Sequence, residues 1–197
     1  MSTLWSNIDW SIARSGGITA YILLTLAMFA GLMLSLRWQS PAKWPRLITN
    51  ELHNFLSLLS LIFIVIHVLA VWIDPFTHFG LSAVFIPFVS GYRPLWVGMG
   101  IVALYLGIAV GISTWMRPKI GYRLWRRLHL LTFLGFIFAL IHGIGSGSDS
   151  HSTWAIAMYA ISMLIVGIPV AVRISGLGKT PQKKQAPLAQ PRPAVKK

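Results

Sequence analysis

The sequence contains no cysteine. That excludes disulfides, thiolate metal sites and thiol nucleophiles, and it leaves the redox compartment open. Acidic residues are nearly as scarce: 4 Asp and Glu stand against 17 Lys and Arg, a formal net charge of +13. Charged residues of both signs make up 11% of the 197 residues, while 55% are hydrophobic. A soluble domain carries about 25% charged residues, so this chain is too apolar for one. A strong cation surplus suits a nucleic-acid binder. A membrane protein accounts for it better, because basic loops retained on the cytoplasmic side give the same imbalance. The expected partner is therefore a lipid bilayer and not nucleic acid. No cleavable signal peptide is expected, since the first apolar run lacks a small-residue cleavage site and is long enough to cross a bilayer.

Five apolar segments reach the ~20 residues that a bilayer core requires. They cover residues 17–36, 53–73, 94–114, 128–144 and 153–173, the fourth extended on its N-terminal side by Arg123–Arg127. Gly and Pro fall mostly at their ends, as helix boundaries require. The segment GLSAVFIPFVS at 80–90 is too short to span and is broken by Pro87, so it reads as a re-entrant or surface-lying piece of loop. Trp and Tyr cluster near the boundaries, as an interfacial belt would. The fold class is an all-α membrane protein of five transmembrane helices.

The cations orient it. Arg37, Lys43 and Arg46 lie in loop 37–49, and Arg117, Lys119, Arg123, Arg126 and Arg127 lie in loop 115–127. With Arg173 and the C-terminal tail these hold 15 of the 17 cations; the remaining segments carry only Arg14 and Arg93. Five spans then run from an outside N-terminus to a cytoplasmic C-terminus. Residues 1–174 form the membrane domain. Residues 175–197, rich in Pro, Lys and Gln, read as a basic disordered tail that enforces topology or touches anionic lipid.

Four of the six histidines fall inside two spans: His53 and His67 in the second, His129 and His142 in the fourth. Intramembrane ionisable groups are costly and default to a functional reading. The steps of 14 and 13 residues correspond to about 21 Å and about 20 Å along a helix. Both spans run from inside to outside, so they are parallel. His53 and His129 share an inner level, and His67 and His142 an outer one. Two imidazoles facing each other across a helix pair suit a haem iron, whose flat macrocycle fills apolar space between helices. Zinc wants four ligands, and neither carboxylate nor cysteine is at hand at either level. The reading is two stacked b-type haems, weighed against four structural histidines. At about 100° per residue, 14 residues return a side chain within about 40° of its start, but 13 leave it about 140° away. Tightening toward a 3₁₀ turn near Gly135, or haems approached from different azimuths, would absorb this.

These residues resemble the ferric reductase-like transmembrane domain shared by ferric reductases and NADPH oxidases. The resemblance covers most of residues 10–145. It rests on ARSGGITAYILLTLAMFAGLMLSL, on ELHNFLSLLSLIFIVIH with its 14-residue histidine step, and on YRLWRRLHLLTFLGFIFALIHG with its 13-residue step. It implies that His53 and His129 ligate an inner haem iron and that His67 and His142 ligate an outer one. NADPH oxidases are similar at Arg14 but pair that arginine with a histidine one turn past the outer ligand. Val71 stands there in this chain, a departure from an oxygen-reducing outer site. Most of the family continues into a flavin- and nicotinamide-binding domain, whereas these residues contain no GxGxxG and end in a short basic tail.

Haem propionates want cations. Candidates are Arg46, Arg123, Arg126 and Arg127 on the inner side and Arg14 and Arg93 on the outer side. His78 and His151 fall in outer loops, where solvation is their simplest role and a ferric or metal contact the sharper one. The expected function is a multi-pass b-type cytochrome of the plasma (inner) membrane, the electron-transfer subunit of a ferric reductase-like system. It takes single electrons from a cytoplasmic flavin reductase-type donor, the flavin being supplied by that partner, and passes them to an external acceptor. Two alternatives stand beside it. The chain also resembles the haem-binding membrane subunit of the methionine sulfoxide reductase system, a group that tends to lack one inner-side histidine. A transporter or channel with pore-lining histidines is the reading from another class.

Overall fold

The computed structural model describes residues 2–36, 46–74 and 79–176, as helices and short connections. Seven helices follow in order: α1 (Ser2–Leu36), α2 (Arg46–Ile73), α3 (Leu81–Phe85), α4 (Pro94–Trp115), α5 (Arg117–His129), α6 (Leu131–Ser146) and α7 (Thr153–Ser175). Residues 37–45, His78 and the tail beyond residue 176 lie outside the described residues, so the readings made of them stand as expectations.

Among the described residues, five helical stretches are long and apolar enough to cross a membrane: Trp10–Leu36, Ile48–Ile73, Pro94–Trp115, Arg117–Ser146 and Thr153–Ser175. Each expected span is found, and each is longer than its apolar window. Hydropathy marks the stretch that suits hydrocarbon, whereas helix propagates through any residue that completes the next hydrogen bond. The boundaries carry ordinary signals. Pro94 opens α4, where its missing N–H costs nothing. Ser152 caps α7 by accepting from the Ala155 amide, and Gly176 ends that helix with φ 74°. The segment at 80–90 holds the short α3, which the Tyr105 hydroxyl meets by donating to the Phe85 carbonyl. It is part of the connection between α2 and α4, as its length and Pro87 require.

The fourth span corrects the expectation placed on Gly135. The turn lies at Leu130, immediately after His129, and divides the span into α5 and α6. Leu130 N bonds to Arg127 O at 3.2 Å and Phe133 N to Leu130 O at 3.2 Å, the i→i+3 pattern of a 3₁₀ turn. Tightening by one residue is what a 13-residue step needs to bring two side chains onto one face. Gly135 instead packs in line, against Leu106 and Ala103 of α4.

Helix α1 packs on α2, α6 and α7, while α4 packs on α5 and α6. Tyr21, Met28 and Leu32 of α1, Phe136 and Leu140 of α6 and Val166 of α7 form the apolar core that joins these elements. Large apolar side chains elsewhere, including Phe55, Leu58, Val65, Ile112 and Leu164, face outward. Exposed apolar area on this scale has no place in water and is what a bilayer covers.

Candidate functional site

Helices α1 and α2 are held in one register by three side chains of α2. His53 Nδ1 lies 2.9 Å from Ala27 O, Ser60 Oγ donates to Ala20 O at 3.1 Å, and His67 Nδ1 lies 2.7 Å from Ala13 O. Donors at 53, 60 and 67 meet carbonyls at 27, 20 and 13, so both helices advance by seven residues at each contact. A seven-residue repeat keeps one seam of each helix facing the other. Small residues let the backbones approach: a side chain on Gly17 would meet the His67 ring at 3.0 Å, and one on Gly31 the His53 ring at 3.2 Å.

The same device recurs on α4. His142 Nδ1 lies 3.0 Å from Trp96 O, and a Cβ on Gly100 would fall 2.5 Å from that ring. In all three cases the carbonyl belongs to residue i and the glycine to residue i+4, so the imidazole lies flat over one helical turn. A carbonyl oxygen can only accept, so Nδ1 carries the proton. The Nε2 lone pair is thereby left facing away from the supporting helix. His129 differs, for its Nδ1 is buried and has no hydrogen-bond partner among the described residues. Its ring lies instead against Trp125, with centroids 5.1 Å apart and planes at 29°.

The two levels expected from the spacing are present. His53 and His129 rings have centroids 6.1 Å apart and planes at 74°. His67 and His142 have centroids 6.1 Å apart and planes at 71°. A cavity of about 560 Å³ contains all four rings and runs between the helix pair α1–α2 and the pair α4–α6. Val71 lines it as well. No three side chains of His, Asp or Glu converge on a common point among the described residues, so the donor set is two imidazoles per level.

Arg14 and Arg93 reach the C-terminal end of α6 and the connection that follows it. Arg14 pairs with Asp149, and Arg93 donates to Gly145 O at 2.6 Å. Composition singled out these two arginines but gave no hint of Asp149, a lone acid among small residues. On α5 Arg123, Arg126 and Arg127 are exposed, and Arg126 donates to the Tyr122 hydroxyl at 3.3 Å. Arg46 is the first residue of α2; its side chain is outside the described part. His151 is exposed in the turn before α7. Sequence reasoning missed Gly17, Gly31 and Gly100, the carbonyls of Ala13, Ala27 and Trp96, and Trp125. The Ala-x₃-Gly pattern at 13–17 and 27–31, repeated at the histidine step of 14, was the signal for the first two sites.

Among known proteins, the family model described as ferric reductase like transmembrane component matches residues 16–140. His53, His67 and His129 fall inside that match, and His142 lies two residues beyond it. No curated protein and no solved structure gave a significant match.

Proposed function

Because this chain belongs to the ferric reductase-like transmembrane family, we propose that it is a b-type cytochrome that carries single electrons across the plasma (inner) membrane through two bis-histidine haems. His53 and His129 would hold the inner haem iron, and His67 and His142 the outer one. The carrying observation is the spacing of the ring pairs. Metal–imidazole bonds are about 2.0–2.1 Å and the ring centre lies about 1.1 Å beyond the nitrogen, so two opposed ligands on one iron have centroids about 6.3 Å apart. Both pairs stand at 6.1 Å. Direct imidazole hydrogen bonds do not demand that separation, and it occurs twice.

Bound haem supplies the one-electron chemistry. The protein's part is to fix the ligands and set the surroundings. Backbone carbonyls hold His53, His67 and His142 in one tautomer, which fixes ring orientation and raises ligand basicity. Apolar walls keep water from the irons. With two histidines to hold each haem, substrates would not bind at the metal. The N-terminus faces outside and the C-terminus the cytoplasm, with Arg117, Lys119, Arg123, Arg126 and Arg127 on the inner face. That face receives a flavin-bearing donor, because hydride carriers give electrons in pairs while haem takes one. Arg14 and Arg93 stand at the outer level, beside the exit toward an external acceptor.

The test is a pyridine haemochrome assay on purified protein. It should return about two haems b per chain, and His67→Ala or His142→Ala should remove the outer haem while sparing much of the inner one. A ratio near one favours a sulfoxide reductase-type membrane subunit. A colourless protein overturns the haem reading and leaves a transporter.

A further inference from the structure

We infer that Trp125 is the positioning residue for His129, doing by ring stacking what a backbone carbonyl does for the other three histidines. The inference rests on the haem reading above and concerns how the fourth ligand is held.

The three tethered histidines share one arrangement, a carbonyl at residue i and a glycine at i+4. Its inner-level counterpart on α4 lies 14 residues beyond Trp96 and Gly100, at Val110 and Thr114, and both of these line the cavity. The arrangement fails there for two reasons. A side chain stands at Thr114 where Gly100 leaves room. The Val110 carbonyl is already taken, since Ser113 Oγ and Thr114 Oγ1 both donate to it at 2.8 Å. His129 therefore finds neither a flat seat nor an acceptor, in keeping with its unpartnered Nδ1.

Trp125 fills the gap. It sits one turn before His129 on α5, and its indole lies over the imidazole. The indole N–H donates to Thr114 Oγ1 at 3.2 Å, and the Arg117 guanidinium lies 4.5 Å from the indole centroid. Thr114 has one hydroxyl proton, given to Val110 O, and lone pairs free to accept the indole N–H. The carbonyl position that would have held the ring is thus connected to it through a hydroxyl and an indole. A stacked ring resists tilting but leaves Nδ1–H unbonded, so His129 is the least basic of the four ligands and the one most easily displaced.

The experiment uses the full chain, purified with its haem, and three variants: Trp125→Leu, Trp125→Phe and Thr114→Val. Low-temperature EPR of the ferric protein and carbon monoxide binding by the ferrous protein are the readouts. His129→Ala identifies which signal belongs to the inner haem. Trp125→Leu should retain two haems, shift the inner signal alone and admit carbon monoxide at about one haem per chain. Trp125→Phe keeps a flat ring and should restore the inner signal toward wild type and block carbon monoxide. Thr114→Val, which like Trp125→Phe keeps the stacked ring and removes its anchor, should shift the same signal by less than Trp125→Leu does. Two haems with an unmoved inner signal in Trp125→Leu overturn the inference alone and make Trp125 an interfacial anchor. Equal haem loss in the Leu and Phe variants overturns it too, as does a Phe variant that behaves like Leu. A chain that takes up no haem refutes both this inference and the reading beneath it.

Discussion

At the scale of single residues, glycines facing the histidines set the tolerance of the site. A Cβ on Gly100 would lie 2.5 Å from His142 Nδ1, closer than van der Waals contact permits. Gly100→Val should therefore displace that ring, and haem content should fall from about two per chain to about one. Gly31→Ala meets His53 at 3.2 Å, a clash that a shift of a few tenths of an ångström relieves, so the inner haem should be kept. Gly167→Ala on α7 meets nothing within 4 Å and serves as the control. The pair of Arg14 and Asp149 makes a prediction of opposite signs. Positive charge near a haem favours the reduced, less positive iron. Potentiometric titration should show the outer potential lowered by Arg14→Ala and raised by Asp149→Asn, the inner potential moving less in both. Equal shifts of the two haems would remove Arg14 from the outer site. The ring planes offer a further check. Imidazole planes at 74° and 71° leave two iron d orbitals nearly degenerate, so both ferric haems should give highly anisotropic low-spin EPR signals. Ordinary rhombic spectra would mean that the planes turn toward parallel when haem binds.

At the scale of elements, α5 carries the strain. Gly121 has φ 78° and ψ 161°, a region that only glycine enters readily, and it kinks the helix between Ile120 and Tyr122. That kink precedes the arginine-rich stretch 123–127, which leads to His129. Gly121→Val should cost on the order of 1–3 kcal/mol. Thermal unfolding of the purified protein should show it as a lower midpoint, with the inner haem lost before the outer. Gly176, with φ 74° and ψ 1°, only caps α7. Gly176→Val should cost about 1–2 kcal/mol and leave both haems in place. A Gly121 variant that melts like wild type would show that the kink carries no strain.

At the scale of the whole molecule, the charge asymmetry would govern the approach of the proposed donor. The five cations of α5 are close together in the chain, and no carboxylate occurs between Asp74 and Asp149 to offset them. Opposite charge raises association rates by about 10–10³-fold, and salt screens the effect. Haem reduction by an acidic flavin reductase should slow at least several-fold between low and physiological ionic strength. Reversing Arg123, Arg126 and Arg127 to Glu should slow it further and flatten the salt dependence. NADPH alone should leave the haems oxidised, and reduced flavin should turn them ferrous. Rapid reduction by NADPH without flavin would refute the need for a flavin step.

The sequence by itself determined the number of spans, because an apolar run of bilayer length has one stable conformation when no water can satisfy its backbone. It determined the two histidine levels as well, since rise per residue is a constant of the helix. Only the tertiary structure decided how the rings are held. A carbonyl is present at every residue, so nothing in the composition says that Ala13, Ala27 and Trp96 accept from histidines while Val110 is claimed by neighbouring hydroxyls. The turn at Leu130 was equally hidden, for its sequence LHLLTF has no Gly or Pro to mark it. Nothing along the chain states that His129 meets His53 and His142 meets His67, for those pairs form across the cavity. Arg14 meets Asp149 for the same kind of reason: residues 135 positions apart become neighbours only when α1 packs against the end of α6.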